Sequence, residues 1–194
     1  MRKKRETRTV NITNLQTRDG QNKESHVISG YAAVFNSRTS IGNYFDEIIA
    51  PGAFSRSLSD GDIRALINHD WSNVIGRTKS GTLRLEEDSR GLKFEVELPN
   101  TSVARDLVES MERGDIDQCS FGFWVDEGKE TWDYSVEPAL RTLVEVELYE
   151  ISVVSLPAYE DTEVSLVRSK EIGKQVEKRL AIIKKIDKTL GVTK

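Results

Sequence analysis

Residues 143–157 alternate apolar and polar side chains, a period that fits one long β-strand and no helix. Val144, Val146, Leu148, Ser152 and Val154 share one phase, and Glu150 shares it with them, whereas Glu145 and Glu147 fall on the other. The expectation is a strand whose apolar face enters a core and takes one carboxylate with it. A carboxylate removed from water without a partner is costly or becomes protonated, so Glu150 needs a hydrogen-bonded cation, a metal or a polar site.

The remaining pattern is mostly of the same period. Leu83 and Leu85, then Leu92, Phe94, Val96 and Leu98, alternate on either side of Asp88-Ser-Arg-Gly91 and predict a hairpin. Strands are expected over 26–35, 44–50, 62–70 and 116–125. Val103, Leu107 and Met111 recur every fourth residue between Thr101 and Gly114, the signature of a helix with a hydroxyl cap and a glycine stop. A short helix is expected over 53–58, behind Pro51-Gly52. The first two dozen residues are polar and fit a loose arm or an edge strand. Ile172, Val176, Ile183, Ile186 and Leu190 form a stripe on a Lys-rich helical tail that needs a partner. The organisation expected is a flexible arm over 1–25, a catalytic domain over 26–167 and a basic amphipathic tail over 168–194.

Charge and cysteine content narrow the function. A net charge of -4 argues against general affinity for nucleic acid, which needs a basic footprint. The two ends are nonetheless basic: Met1 to Arg8 is rich in Lys and Arg, and so is the segment from Arg168 onward. A single cysteine, Cys119, excludes an internal disulfide, and no apolar run is long enough to cross a membrane as a helix. Two histidines and one cysteine are too few for a closed structural zinc site.

Three polar residues fall at interior phases or strand ends: His69, Ser120 and Glu150. They supply a base, a nucleophile and an orienting carboxylate. Each also has an innocent reading, as a rim histidine, a small strand residue, or half of an ion pair with Arg64 or Arg141. Cys119 is a rival nucleophile beside Ser120, but strand neighbours face opposite ways, which puts it among Phe121 and Phe123 as a buried hydrophobe. Asp70 and Glu147 are rival carboxylates. Gly122, on the phase of Ser120, leaves room for another backbone or marks a bulge.

The chain resembles the prohead serine proteases of tailed bacteriophages, similar in fold to the herpesvirus capsid-maturation protease assemblin. The resemblance is carried by Gly30-Tyr-Ala-Ala-Val-Phe35, Ile49-Ala-Pro-Gly-Ala-Phe54, Asn68-His-Asp70, Ile75-Gly-Arg77, Arg90-Gly-Leu92, Cys119-Ser-Phe-Gly-Phe123 and the run from Leu148 to Ala158. It implies a β-rich α+β fold, a closed β-barrel of about seven strands with flanking helices. It implies His69 as base, Ser120 as nucleophile and Glu150 as third member, with no metal or organic cofactor, and backbone amides near Pro157 and Ala158 in an oxyanion hole. The implied substrates are the scaffold segment of the major capsid protein and the protease itself, inside the assembling procapsid in the host cytoplasm. Alternatives are a cysteine peptidase using Cys119 and a non-catalytic capsid assembly or scaffolding protein. The resemblance also raises a homo-oligomer, and involves neither a membrane nor a specific nucleic acid.

Overall fold

The computed structural model describes residues 5–11, 16–19, 26–155 and 163–190. The strands are β1 (Glu6–Asn11), β2 (Gln16–Asp19), β3 (His26–Val34), β4 (Thr39–Ile41), β5 (Phe45–Ile49), β6 (Arg64–Ile67), β7 (Asp70–Arg77), β8 (Leu83–Glu87), β9 (Gly91–Glu97), β10 (Gln118–Trp124), β11 (Glu130–Asp133), β12 (Leu140–Leu143) and β13 (Glu147–Val154). The helices are α1 (Ser55–Asp60), α2 (Ser102–Glu112) and α3 (Glu163–Leu190).

These strands form three separate sheets, ordered β1-β10-β13-β6-β7, β11-β12-β5-β4 and β2-β3-β9-β8. The expected closed barrel of about seven strands is therefore wrong: among the described residues each sheet ends in two open edges, and the fold is mixed α+β with few helices. Closure needs one ladder to run unbroken through every strand. Here, among the described residues, no strand pairing joins one sheet to another, so the ladder is interrupted between them.

A single apolar core joins the sheets, with Ile28, Phe54, Leu92, Phe94, Phe121, Phe123, Ile151 and Val153 at its centre. The hairpin of β8 and β9 and the helix α2 form where their periods place them, and the Thr101 hydroxyl accepts the Ala104 N–H as the cap of α2. α1 covers the start of β13: the Ser57 hydroxyl donates to the Val146 carbonyl and accepts the Leu148 N–H. A largely buried network of two arginines and three glutamates ties β1 to the second sheet. Arg141 donates to Glu6 and Glu47, both at 2.9 Å, and to Glu130, while Arg8 donates to Glu47 at 2.6 Å and to Glu6 at 2.9 Å. Burial by itself would lower the Arg141 pKa, but the Glu6 and Glu47 carboxylates outweigh it and hold the guanidinium charged. β1 and β2, from the polar N-terminal segment, each lie at the edge of a sheet.

Candidate active site

The site forms on three adjacent strands. β13 is central, with β10 antiparallel on one side and β6 parallel on the other. Ser120 stands opposite Ser152, and Gly122 stands opposite Glu150. The next pair along is Phe123 with Leu148, so Tyr149 is one extra residue, a bulge. That bulge corrects the phase read from the sequence. Leu148 belongs to the core with Ile151 and Val153, whereas Glu150 and Ser152 occupy the opposite face. Glu150 is buried, at 1% exposure, because site residues cover it and not because it enters the core.

His69 reaches this face from the turn between β6 and β7. Ile67 pairs with Asp70, leaving Asn68 and His69 as a two-residue hairpin turn, and both have positive φ, 52° and 59°. Asparagine suits the first of these positions, but the second ordinarily favours glycine, so His69 holds a costly conformation of a type that clusters at functional sites. The turn is fixed from both ends: the Asn68 N–H donates to the Val153 carbonyl, and its side-chain oxygen accepts the Ser155 N–H at 3.0 Å.

His69 Nδ1 lies 2.8 Å from Glu150 Oε1. The other carboxylate oxygen accepts the Ser152 hydroxyl at 2.6 Å, and that same hydroxyl accepts the His69 backbone N–H at 3.1 Å. Ser152 therefore ties the imidazole's backbone to the carboxylate that orients its ring. Its role was not assigned from sequence, although its position two residues after Glu150 on one strand face was the available signal. His69 Nε2 is buried and has no hydrogen-bond partner among the described residues. Glu150 pairs with neither of the arginines considered for it: Arg141 serves Glu6 and Glu47, and Arg64 lies against Asp62.

Ser120 is fully buried, and its hydroxyl donates to the Arg8 carbonyl of β1 at 2.8 Å, not to the imidazole. Cys119 lies on the core face with Phe121 and Phe123, and burial, followed by the nearby Glu150 charge, pushes its thiol pKa up. Asp70 is exposed and engaged in its own turn by Ser72 and Asn73. Glu147 is exposed at the start of β13. The room beside Gly122 is already taken, since a Cβ there would fall 2.3 Å from Glu150 Oε1 and 2.6 Å from the Tyr149 ring. Pro157 and Ala158 lie outside the described residues.

Residues 13–178 match the family described as caudovirus prohead serine protease. The chain belongs to that family. No curated protein and no solved structure matches it. Membership in the prohead serine proteases assigns a proteolytic role in phage capsid maturation, acting on capsid proteins. Among the described residues no helix is long and apolar enough to cross a membrane.

Proposed function

We propose that this prohead protease is a serine endopeptidase in which Ser120 attacks, His69 carries the proton and Glu150 orients the imidazole. The observation that carries the reading is the His69–Glu150 pair at 2.8 Å, with Nε2 left free of any described partner on the face that also bears Ser120. A carboxylate on Nδ1 favours the tautomer protonated there, which leaves Nε2 as the base. Ser120 Oγ turns from Arg8 toward Nε2, attacks the scissile carbonyl carbon and gives its proton to the ring. The imidazolium, stabilised by Glu150, then protonates the leaving amine as the peptide C–N bond breaks. Water, deprotonated by the same nitrogen, hydrolyses the acyl-enzyme ester and restores the serine.

The substrates proposed are the scaffold segment of the major capsid protein and the chain itself, within the procapsid. The segment 168–194 fits a docking or self-removed tail: Ile182, Ile183 and Ile186 are exposed on α3 beside Lys184 and Lys185. The burial of Cys119 on the core face argues against the cysteine alternative. A non-catalytic assembly role has one observation in its favour, the Ser120 hydroxyl engaged with a backbone carbonyl as in a structural serine. Co-assembly with the major capsid protein separates these readings. Ser120→Ala and His69→Ala should each abolish cleavage while Cys119→Ala spares it, and wild-type procapsids without any processed fragments would reject the peptidase.

A further inference from the structure

β1 raises a question that the catalytic residues do not answer. It lies along the edge of β10, the strand that carries Ser120, with Thr9 opposite Ser120 and Thr7 opposite Gly122. Its Arg8 carbonyl accepts the Ser120 hydroxyl. Attack needs Oγ at a carbonyl carbon with its proton passed to a base. Here the proton points to a carbonyl oxygen and His69 Nε2 is left alone, so the arrangement is a resting one.

Alternation places Arg5 on the same face as Thr7 and Thr9, one step beyond Gly122 toward Trp124. The Arg5 guanidinium lies 5.5 Å from the Trp71 ring centroid, 5.9 Å from Trp124 and 5.2 Å from Tyr149. Tyr149 touches both indoles, stacked with Trp71 at 6.2 Å between centroids and tilted against Trp124 at 4.3 Å. Trp71 is 43% exposed, so this aromatic group is open to solvent on one side. This is a cage for a cation, built from two tryptophans and a tyrosine beside Glu150.

The buried charges of β1 do not forbid its departure. Arg141 keeps Glu47 at 2.9 Å and Glu130 when β1 leaves, and Arg8 leaves together with Glu6, its partner at 2.9 Å. Neither side strands a lone buried charge, which is the expensive outcome.

We propose that β1 is the intramolecular occupant of the substrate groove: an extended peptide bearing an arginine or lysine adds to the edge of β10 with that side chain in the Trp71, Trp124 and Tyr149 cage, and the chain's own Arg5 holds the place until it is displaced. Strand addition supplies affinity through the backbone, and the cage supplies the choice of side chain. The inference rests on Ser120 being the nucleophile.

The test uses the full chain as wild type, Arg5→Ala and Arg5→Lys. Two quantities are read: amide hydrogen exchange of β1, and the rate at which a phosphonofluoridate modifies Ser120. Loss of the cation should speed both by about tenfold, and lysine should keep both near wild type. A synthetic peptide of residues 5–11 should slow the modification in Arg5→Ala, and the same peptide with citrulline at its first position should not. Exchange that accelerates without any gain in Ser120 modification, or a peptide effect indifferent to citrulline, overturns the proposal. Failure of the peptidase reading has a separate signature, Ser120 unreactive in every variant; peptide binding followed by tryptophan fluorescence then decides the cage, and an Arg5→Ala chain that does not bind the arginine peptide in preference to the citrulline one overturns it.

Discussion

Glu150→Gln keeps the size of a buried side chain and removes only its charge and half its acceptor capacity, so its effect follows from the geometry. The wild-type carboxylate accepts twice, from His69 Nδ1 and from the Ser152 hydroxyl. A glutamine can accept on one side only. If its oxygen faces His69, the useful tautomer survives, but the amide group meets Ser152, whose oxygen already accepts the His69 N–H, and the serine proton loses its acceptor. Leaving that buried donor unmade costs about 1–3 kcal/mol. If its oxygen faces Ser152, the bonds to Ser152 and to Nδ1 are both made, with the amide donating to Nδ1 and the proton forced onto Nε2, which has no described partner in either orientation. The second orientation wins, and it has no base for Ser120. The expected loss is about 10⁴-fold in the cleavage rate, or roughly 5.5 kcal/mol of transition-state stabilisation. The rate is measured on co-assembled capsid protein, with urea denaturation checking that the fold is retained. Adding Ser152→Ala removes the competition for the amide, so the double variant should recover about tenfold over Glu150→Gln. A Glu150→Gln chain within tenfold of wild type, or an equal loss from Glu147→Gln or Asp70→Asn, would refute the reasoning.

Gly122→Ala puts a methyl against Glu150 Oε1 and the Tyr149 ring, at 2.3 Å and 2.6 Å before relaxation. It should destabilise the fold by about 1–3 kcal/mol and, by moving the oxygen that holds His69, depress cleavage more than stability, as parallel denaturation and cleavage measurements will report. Arg141→Met leaves Glu6 and Glu47 sharing Arg8 and Glu130 without its guanidinium, and should lower unfolding free energy by about 3–5 kcal/mol; a loss under about 1 kcal/mol in urea denaturation would mean that the network is neutralised some other way. Asp62 is held at a pKa of about 2 by its hydrogen bond from Arg77, below its ordinary value of 3.8. A depressed folded pKa contributes stability that is present above the unfolded value and lost as pH falls through the folded one. The stability difference between wild type and Asp62→Asn should therefore be constant from pH 5 to 7 and shrink toward pH 2; a difference that grows on acidification contradicts the assignment.

What could be read in the sequence was what depends on neighbours along the chain. The β8–β9 hairpin, α2 and the opposite facing of Cys119 and Ser120 follow from local period and caps, and they are where that period puts them. Closure of the sheets was misread because alternation says that a strand has a buried face but not which distant strand it pairs with. Glu150 was expected to be buried, and it is, but for another reason: the Tyr149 bulge shifts the phase, so the apolar residues before it and the carboxylate after it face opposite ways. The N-terminal segment could be read only as a loose arm or an edge strand, because the buried phase of β1 is made of charges. Glu6 and Arg8 alternate as regularly as leucines would, and only partners from β5 and β12 make them burial-competent.

The same distinction explains how the site is assembled. His69 and Glu150 are far apart in sequence, yet His69 sits in the turn that follows β6, and the parallel pairing of β6 with β13, the strand of Glu150, holds those two strands one strand spacing apart, about 4.8 Å. Parallel pairing alone would carry His69 past Glu150, toward Ser155. The tight turn at Asn68 and His69 reverses the chain there, and the positive φ of His69 lets its backbone N–H meet Ser152 while its ring meets Glu150. The positive φ of His69 thus goes together with its pairing to Glu150, and the Asn68 bonds to Val153 and Ser155 hold the turn in that conformation.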